Sequence, residues 1–87
     1  MNIYVGNLDY RVNENDLIRI FEEFGKVDSA KIITDKFSGK SKGFGFVTME
    51  DRDEAMKAID KLDGSTYENR KIVVNEAKPK KTGNSRY

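Results

Sequence analysis

Two phenylalanines follow one lysine in a short segment of the chain, residues 42–49, which reads Lys-Gly-Phe-Gly-Phe-Val-Thr-Met. A further aromatic residue, Tyr4, stands in an apolar segment near the amino terminus. An exposed aromatic ring can stack on another planar group, and a nearby lysine can pair with an anion. The chemistry open to these residues is therefore stacking and ion pairing rather than covalent catalysis.

The composition excludes most familiar kinds of catalysis. The 87-residue chain contains no cysteine and no histidine, which removes disulfides, thiolate zinc sites, histidine general bases and catalytic triads. The amino terminus has no basic region followed by a long apolar run, and no segment approaches the ~18 apolar residues of a membrane span. We therefore expect one cytoplasmic, non-enzymatic domain without a cofactor, a metal or a membrane partner.

Charge is segregated along the chain, although the net charge is only +1. Residues 13–24 and 50–63 are both acidic on balance, whereas residues 31–42 hold four lysines against one aspartate. Residues 78–87 hold four basic residues and no acid. Such segregation can arise by chance on a solvated surface; if the two basic segments share a face, they would attract an anionic partner.

Apolar periodicity predicts four strands and two helices in the order βαββαβ. The strands are predicted at residues 2–6, 27–34, 43–49 and 70–76. This order is that of the α+β, ferredoxin-like fold, in which right-handed crossovers place both helices on one face of a four-stranded antiparallel sheet. The first and third strands would then be central neighbours, and the other sheet face would remain free of helices.

Capping residues predict where the two helices begin. Asn13 can cap the first helix, where Val12 and Leu17 have the spacing of a hydrophobic staple. Asp51 and Glu54 have the spacing of a capping box for the second helix. Each predicted helix ends at a glycine, which is a common way for a helix to terminate.

Alternation alone does not decide which face of the third strand is buried. Phe44 and Phe46 lie on one face, and Gly43, Gly45 and Val47 lie on the other. On this strand considered by itself, burial of both phenylalanines is favoured, because a buried Phe stabilises a fold by about 1.5–3 kcal/mol. Glycines on the inward face would instead allow a helix to approach closely, so the opposite arrangement also remains open.

Residues 42–49 resemble the octapeptide of the RNA-recognition motif family, Lys/Arg-Gly-Phe/Tyr-Gly/Ala-Phe-Val-x-Phe/Tyr. Seven of the eight positions match, and the exception is Met49. Residues 3–8 resemble the companion hexapeptide of the family on the first strand. The resemblance implies a domain over residues 1–78. Pro79 and the polar residues after it, which include no core-forming side chain, predict a flexible basic tail at residues 79–87. Met49 falls on the inward face, so its departure should alter packing rather than binding.

This resemblance implies that the domain binds single-stranded RNA. Tyr4, Phe44 and Phe46 would face outward and stack on unpaired bases, and Lys42 would pair with phosphate. The other contacts that the resemblance implies are Asn2, Lys31, Ile33, Val73, Asn75 and Lys78. Single-stranded DNA remains open as a second ligand. The chain resembles the small single-motif RNA-binding proteins of bacteria, and a monomer is expected.

Two other functions are compatible with the same fold. A protein–peptide interaction module would use the same sheet face or the acidic helix face, but the intact set of Tyr4, Phe44, Phe46 and Lys42 argues against it. An enzyme such as an acylphosphatase would need a glycine-rich phosphate loop with an arginine near the first strand, and the sequence does not contain one there.

Overall fold

The computed structural model describes residues 1–77 of the chain. The predicted tail and Lys78 lie outside these residues. Between residues 1 and 77 the elements are β1 (Asn2–Gly6), α1 (Glu14–Glu22), β2 (Ser29–Thr34), β3 (Ser41–Thr48), α2 (Arg52–Leu62), β4 (Thr66–Tyr67), β5 (Arg70–Lys71) and β6 (Val73–Glu76). The predicted βαββαβ order is confirmed, with a short hairpin added before the last strand. Neither helix in this part of the chain is long and apolar enough to cross a membrane.

Four of the strands form one antiparallel sheet in the order β2-β3-β1-β6. The first and third strands are its central neighbours, as predicted. Tyr4 lies opposite Phe46 on one side and Asn75 on the other, and Lys31 lies opposite Phe46. Because paired residues point to the same face, the side chains of Lys31, Phe46, Tyr4 and Asn75 form one row across the sheet.

The core lies between the opposite face of the sheet and the two helices. Alternate residues of the strands and one stripe of each helix supply its buried apolar side chains. They include Ile3, Val5, Ile32, Val47, Val74, Leu17, Phe21, Ala55 and Ala58. Met49 is also fully buried, so it packs in the core at the one octapeptide position that departs from the family pattern.

The two helices begin in different ways. In α1, the side chain of Asn13 accepts from the amide of Asp16 at 2.9 Å, and Asp16 accepts from the amide of Asn13 at 3.0 Å. In α2, Asp51 accepts from the amide of Glu54 at 3.0 Å, but Glu54 accepts from the amide of Lys26 at 3.3 Å instead of returning to Asp51. The capping box predicted for α2 is therefore wrong in its second half, because Glu54 binds the loop after α1.

The segment predicted as the last strand, residues 70–76, is divided in the structure. Its first two residues pair with β4 in a separate hairpin, and Val73–Glu76 joins the sheet beside β1. The hairpin turn places Glu68 and Asn69 at φ 52° and 64°, the left-handed conformation that two-residue hairpin turns require. Sequence analysis missed this turn because Glu-Asn lacks the glycine that usually marks it.

The inward-facing glycine at position 45 of β3 accommodates a neighbouring strand rather than a helix. A Cβ atom at Gly45 would lie 3.1 Å from the Cα atom of Ile32 on β2, which is tighter than ordinary packing allows. The β2–β3 register shifts between Ile32 and Thr34, so the two backbones come close at this point. The atoms nearest to the inward face of Gly45 therefore belong to β2.

Candidate functional site

Three aromatic rings lie together on the sheet face that is free of helices. The ring centroids of Tyr4 and Phe44 are 5.9 Å apart, those of Tyr4 and Phe46 are 5.9 Å apart, and those of Phe44 and Phe46 are 6.3 Å apart. The alternate residues Gly45 and Val47 are buried on the other face. The outward orientation implied by the resemblance is confirmed, and burial of both phenylalanines, favoured from the strand alone, is wrong. We call Tyr4, Phe44 and Phe46 the aromatic platform.

The rings of the aromatic platform support one another while keeping surface open to solvent. Phe46 stands edge-on to both neighbours, with interplanar angles of 63° to Tyr4 and 90° to Phe44. Each such pair stabilises the fold by about 0.5–1.5 kcal/mol in addition to the contribution from burying apolar surface. Phe46 remains 36% exposed. Because these mutual contacts already order the rings, a ligand would lose little entropy in fixing them.

Gly6 allows the Tyr4 ring to lie over the end of β1. A Cβ atom at Gly6 would come 2.8 Å from both Cε2 and Cζ of Tyr4, which is shorter than side-chain contacts normally become. Any larger residue at this position would push the ring away from its present place. Gly6 was not among the predicted site residues. The signal that could have identified it is a glycine two positions after an aromatic residue in a strand, because such a glycine leaves space for a neighbouring group.

Polar, basic and apolar residues surround the aromatic platform. Asn2 accepts a hydrogen bond from the hydroxyl of Thr48 at 3.0 Å, and Val73 is 40% exposed. The other predicted contacts within residues 1–77 share this face with the platform: Asn2, Lys31, Ile33, Lys42, Val73 and Asn75. Among the described residues, the outward positions of the four sheet strands carry two lysines and no acid. The structure therefore brings the predicted site residues to one face, while Lys78 lies outside the part it describes.

The end of β1 is fastened to the small hairpin by Asn7. Its backbone has φ 57°, and its side-chain amide donates to the carbonyl of Lys71 at 2.6 Å. The guanidinium of Arg70 donates to Oδ1 of Asn7 at 3.0 Å. These contacts hold the hairpin beside the start of β6, where Val73 joins the platform face. Sequence analysis missed this role, because it depends on a contact between residues more than sixty positions apart.

Residues 35–40, which we call the basic loop, form an ordered connection between β2 and β3. Oδ1 of Asp35 accepts from the amides of Phe37 at 2.7 Å and Ser38 at 3.1 Å. These backbone hydrogen bonds lower the pKa of Asp35 below its ordinary value of 3.8. The amide of Asp35 also donates to the carbonyl of Lys40 at 2.7 Å. The loop therefore has a defined conformation, to which backbone hydrogen bonds and the side chain of Asp35 both contribute.

The domain is an antiparallel sheet with helices on one face and a cluster of aromatic rings beside lysines on the other. The model of the RNA recognition motif family matches residues 3–73. The chain therefore belongs to the RNA recognition motif family. Membership of this family agrees with the expectation of a non-enzymatic binding domain.

Sequence relatives and solved structures agree with this assignment. The chain is 46% identical over 80 residues to RbpA of Synechocystis sp., covering 92% of this chain and 79% of the relative. It is 50% identical to the crystal structure of RNA Binding Protein PG1, with a TM-score of 0.87 and coverage of 92% and 99%. The Sxl-lethal protein/RNA complex has a TM-score of 0.85 at 28% identity, with coverage of 91% and 47%. The predicted ferredoxin-like fold and the likeness to bacterial members of the family are confirmed.

Proposed function

We propose that this protein binds single-stranded RNA by stacking unpaired bases on Tyr4, Phe44 and Phe46. The observation that carries the proposal is the aromatic platform itself, with ring centroids 5.9–6.3 Å apart on the face without helices. Every base has a π-face, and stacking on an aromatic side chain is worth about 1–3 kcal/mol per base. A platform of this kind accommodates two or three bases.

The residues around the platform would bind the rest of each nucleotide. Lys31 and Lys42 are exposed and would pair with phosphates, aided by the absence of acidic side chains at the outward strand positions within residues 1–77. Asn2 and Asn75 can donate and accept hydrogen bonds at base edges. Ile33 and Val73 offer apolar contact to bases and sugars at the margins of the face. We propose that Lys78 and the tail after it add further phosphate contacts.

Single-stranded RNA is favoured over duplex nucleic acid because the platform needs an accessible base face. In a duplex the bases are already stacked on one another, so the three rings would have no free surface to engage. Single-stranded DNA would offer the same base faces without the 2′-hydroxyl, and it is the second ligand to test. We also propose that the protein acts as a cytoplasmic monomer.

The proposal is tested by titrating a fluorescently labelled pool of short random RNA with the protein at moderate salt. A triple variant, Tyr4→Leu, Phe44→Leu and Phe46→Leu, keeps apolar cover over the sheet but removes the aromatic faces. Tyr10→Leu is the matched control, since Tyr10 is a 72% exposed aromatic residue in the loop after β1. We expect the triple variant to lose at least about tenfold in affinity and the control to bind as the wild type does.

Competition experiments complete this test. Unlabelled duplex DNA should displace the labelled RNA poorly, and single-stranded DNA measures the contribution of the 2′-hydroxyl. Equal binding by the wild type and a triple variant shown to be folded by circular dichroism would contradict the stacking role. If the wild type itself does not bind, the aromatic platform is assigned to a peptide ligand, and a protein pull-down would follow.

A further inference from the structure

Phe37 is the most exposed large apolar residue among those the structure describes, with 98% of its surface accessible. It lies in the basic loop between β2 and β3, away from the core. A single exposed apolar residue is common and by itself requires no explanation. What distinguishes Phe37 is the conformation of the loop that carries it and the charge that surrounds it.

The basic loop presents Phe37 on a constrained backbone. The amide of Phe37 donates to Oδ1 of Asp35, and the amide of Gly39 donates to the carbonyl of Asp35 at 2.8 Å. Gly39 has φ 74°, a conformation that glycine adopts without strain. The amide of Lys40 donates to Oγ of Ser38 at 3.2 Å. Because these bonds already fix the turn, a ligand that contacts Phe37 would not have to order the loop first.

The side chains around Phe37 select a particular kind of partner. Lys36 and Lys40 are exposed in the same loop, and Lys42 follows on β3. The acid of this loop, Asp35, accepts hydrogen bonds from two backbone amides, which offset part of its charge. An aromatic ring among lysines suits a ligand that combines a flat π-system with anionic groups, as a nucleotide does.

The position of the loop relates it to the aromatic platform. β2 and β3 pass from the outward residues Ile33 and Phe44 directly into it, with Thr34 paired to Ser41. At ~3.3 Å per residue, the chain from Phe44 to Lys40 spans at most roughly 13 Å. The basic loop is therefore continuous with the two strands that carry Ile33 and Phe44, and it lies within one short stretch of chain from the platform.

We infer that Phe37 is a fourth base-stacking residue, which holds a nucleotide beyond those on Tyr4, Phe44 and Phe46. Lys36 and Lys40 neutralise the phosphates next to that nucleotide. The inference rests on the proposed function, since it assigns the loop to the same RNA strand. Because the platform alone accommodates two or three bases, Phe37 contributes only when the RNA is longer than that.

A tryptophan probe tests the contact directly, because the chain contains no tryptophan. Phe37→Trp provides a single fluorophore at the loop tip, and Tyr10→Trp is the matched control at another exposed aromatic position. Each variant is titrated with a single-stranded RNA of about ten nucleotides, within the range of single-stranded site sizes. We expect stacking to quench the emission of Phe37→Trp and to leave that of Tyr10→Trp unchanged.

Affinity measurements on alanine and tyrosine variants provide the second readout. Phe37→Ala should weaken binding of the RNA of about ten nucleotides by roughly 5- to 140-fold, the range for one lost stack. Phe37→Tyr, which keeps the aromatic face, should bind as the wild type does. The platform can hold an RNA of about three nucleotides by itself. The wild type, Phe37→Ala and Phe37→Tyr should therefore bind this short RNA with equal affinity, as measured from the change in the NMR shift of the Gly45 amide during titration.

Three outcomes would overturn the inference. If the longer RNA binds, measured by its own anisotropy, but the emission of Phe37→Trp and the affinity of Phe37→Ala do not change, Phe37 is not a contact and the proposed function stands. If the wild type binds neither RNA, the proposed function fails and the inference fails with it. If sedimentation shows self-association that Phe37→Ala abolishes without a change in RNA affinity, Phe37 instead contacts a second copy of the chain.

Discussion

Alanine substitutions at the adjacent positions Phe46 and Val47 should both lower folding stability, but only Phe46→Ala should weaken RNA binding. The two residues are neighbours on β3, but Phe46 lies on the platform face with 36% of its surface exposed, whereas Val47 is fully buried. Because successive strand residues point to opposite faces, each substitution removes apolar atoms from one side of the sheet. The pair therefore separates a loss of binding from a loss of packing.

The expected magnitudes follow from what each side chain contacts. Phe46→Ala removes one stacking surface, worth about 1–3 kcal/mol of RNA affinity, or roughly 5- to 140-fold. It also removes two edge-on ring contacts; at about 0.5–1.5 kcal/mol each, they set the expected loss of unfolding free energy at about 1–3 kcal/mol. Val47→Ala removes two buried carbon atoms and leaves a cavity, for a loss of about 2 kcal/mol.

The assay combines thermal unfolding with RNA titration well below the melting temperature. A loss of 1 kcal/mol lowers the melting temperature of a domain of this size by roughly 4–8 °C, so both variants should melt measurably below the wild type. Val47→Ala should nevertheless retain the affinity of the wild type. If Val47→Ala loses as much RNA affinity as Phe46→Ala, the loss of affinity reports a loss of folding rather than of stacking; if Phe46→Ala binds RNA as tightly as the wild type, the aromatic platform is not the binding surface.

Four further predictions test the elements around the platform. Gly6→Ala should displace the Tyr4 ring and weaken RNA binding several-fold, and the same change made together with Tyr4→Ala should add no further loss in a double-mutant cycle. Asn7→Gly keeps a residue that tolerates φ 57° but loses the exposed side-chain hydrogen bonds, so it should cost about 0.5–1.5 kcal/mol of unfolding free energy. Asn7→Ala should cost about 1 kcal/mol more, and equal losses would mean that the backbone conformation is unimportant. The pKa of Asp35 is lowered in the folded chain, so its carboxylate stabilises the basic loop at any pH above 3.8, and this stabilisation is lost as the pH falls through the lowered value. Hydrogen exchange of the Phe37 amide should therefore lose its protection only in strong acid. A loss of protection near neutral pH would exclude this cause. If two to four phosphates are neutralised, log K should fall with log salt at a slope of roughly −1.4 to −2.8, whereas a flat response would remove the electrostatic role of the lysines.

The elements of the fold could be predicted from local patterns. The boundaries of β1 and the Asn13 cap of α1 agree with the structure, because strand alternation and capping depend on residues close in sequence. The hairpin of β4 and β5 was not predictable in this way, since its turn residues, Glu68 and Asn69, adopt positive φ without a glycine. Glu54 likewise has the spacing of a capping residue but binds Lys26, a partner brought near only by folding.

The orientation of β3 shows why a sequence pattern alone was insufficient. Burial of Phe44 and Phe46 was the better choice for the isolated strand, because burial of a Phe is favourable. In the folded domain the helix side of the sheet is already occupied by residues such as Leu17, Phe21 and Met49. Resemblance to the family octapeptide led to the correct orientation, and the packing of the core explains it.

The βαββαβ order could be recognised from the sequence, and the composition excluded most catalytic chemistry. The sequence also showed Tyr4, Phe44 and Phe46 on two segments that were predicted to be neighbouring strands. The tertiary structure alone decided that Gly6 makes room for the Tyr4 ring, that Asn7 fastens a hairpin to the end of β1, and that Phe37 stands in solvent on an ordered loop. Alternation and capping relate residues a few positions apart, and composition needs no positions at all, so each can be recognised in the sequence. Ring contacts, space above a glycine and long-range hydrogen bonds exist only once distant segments have packed together.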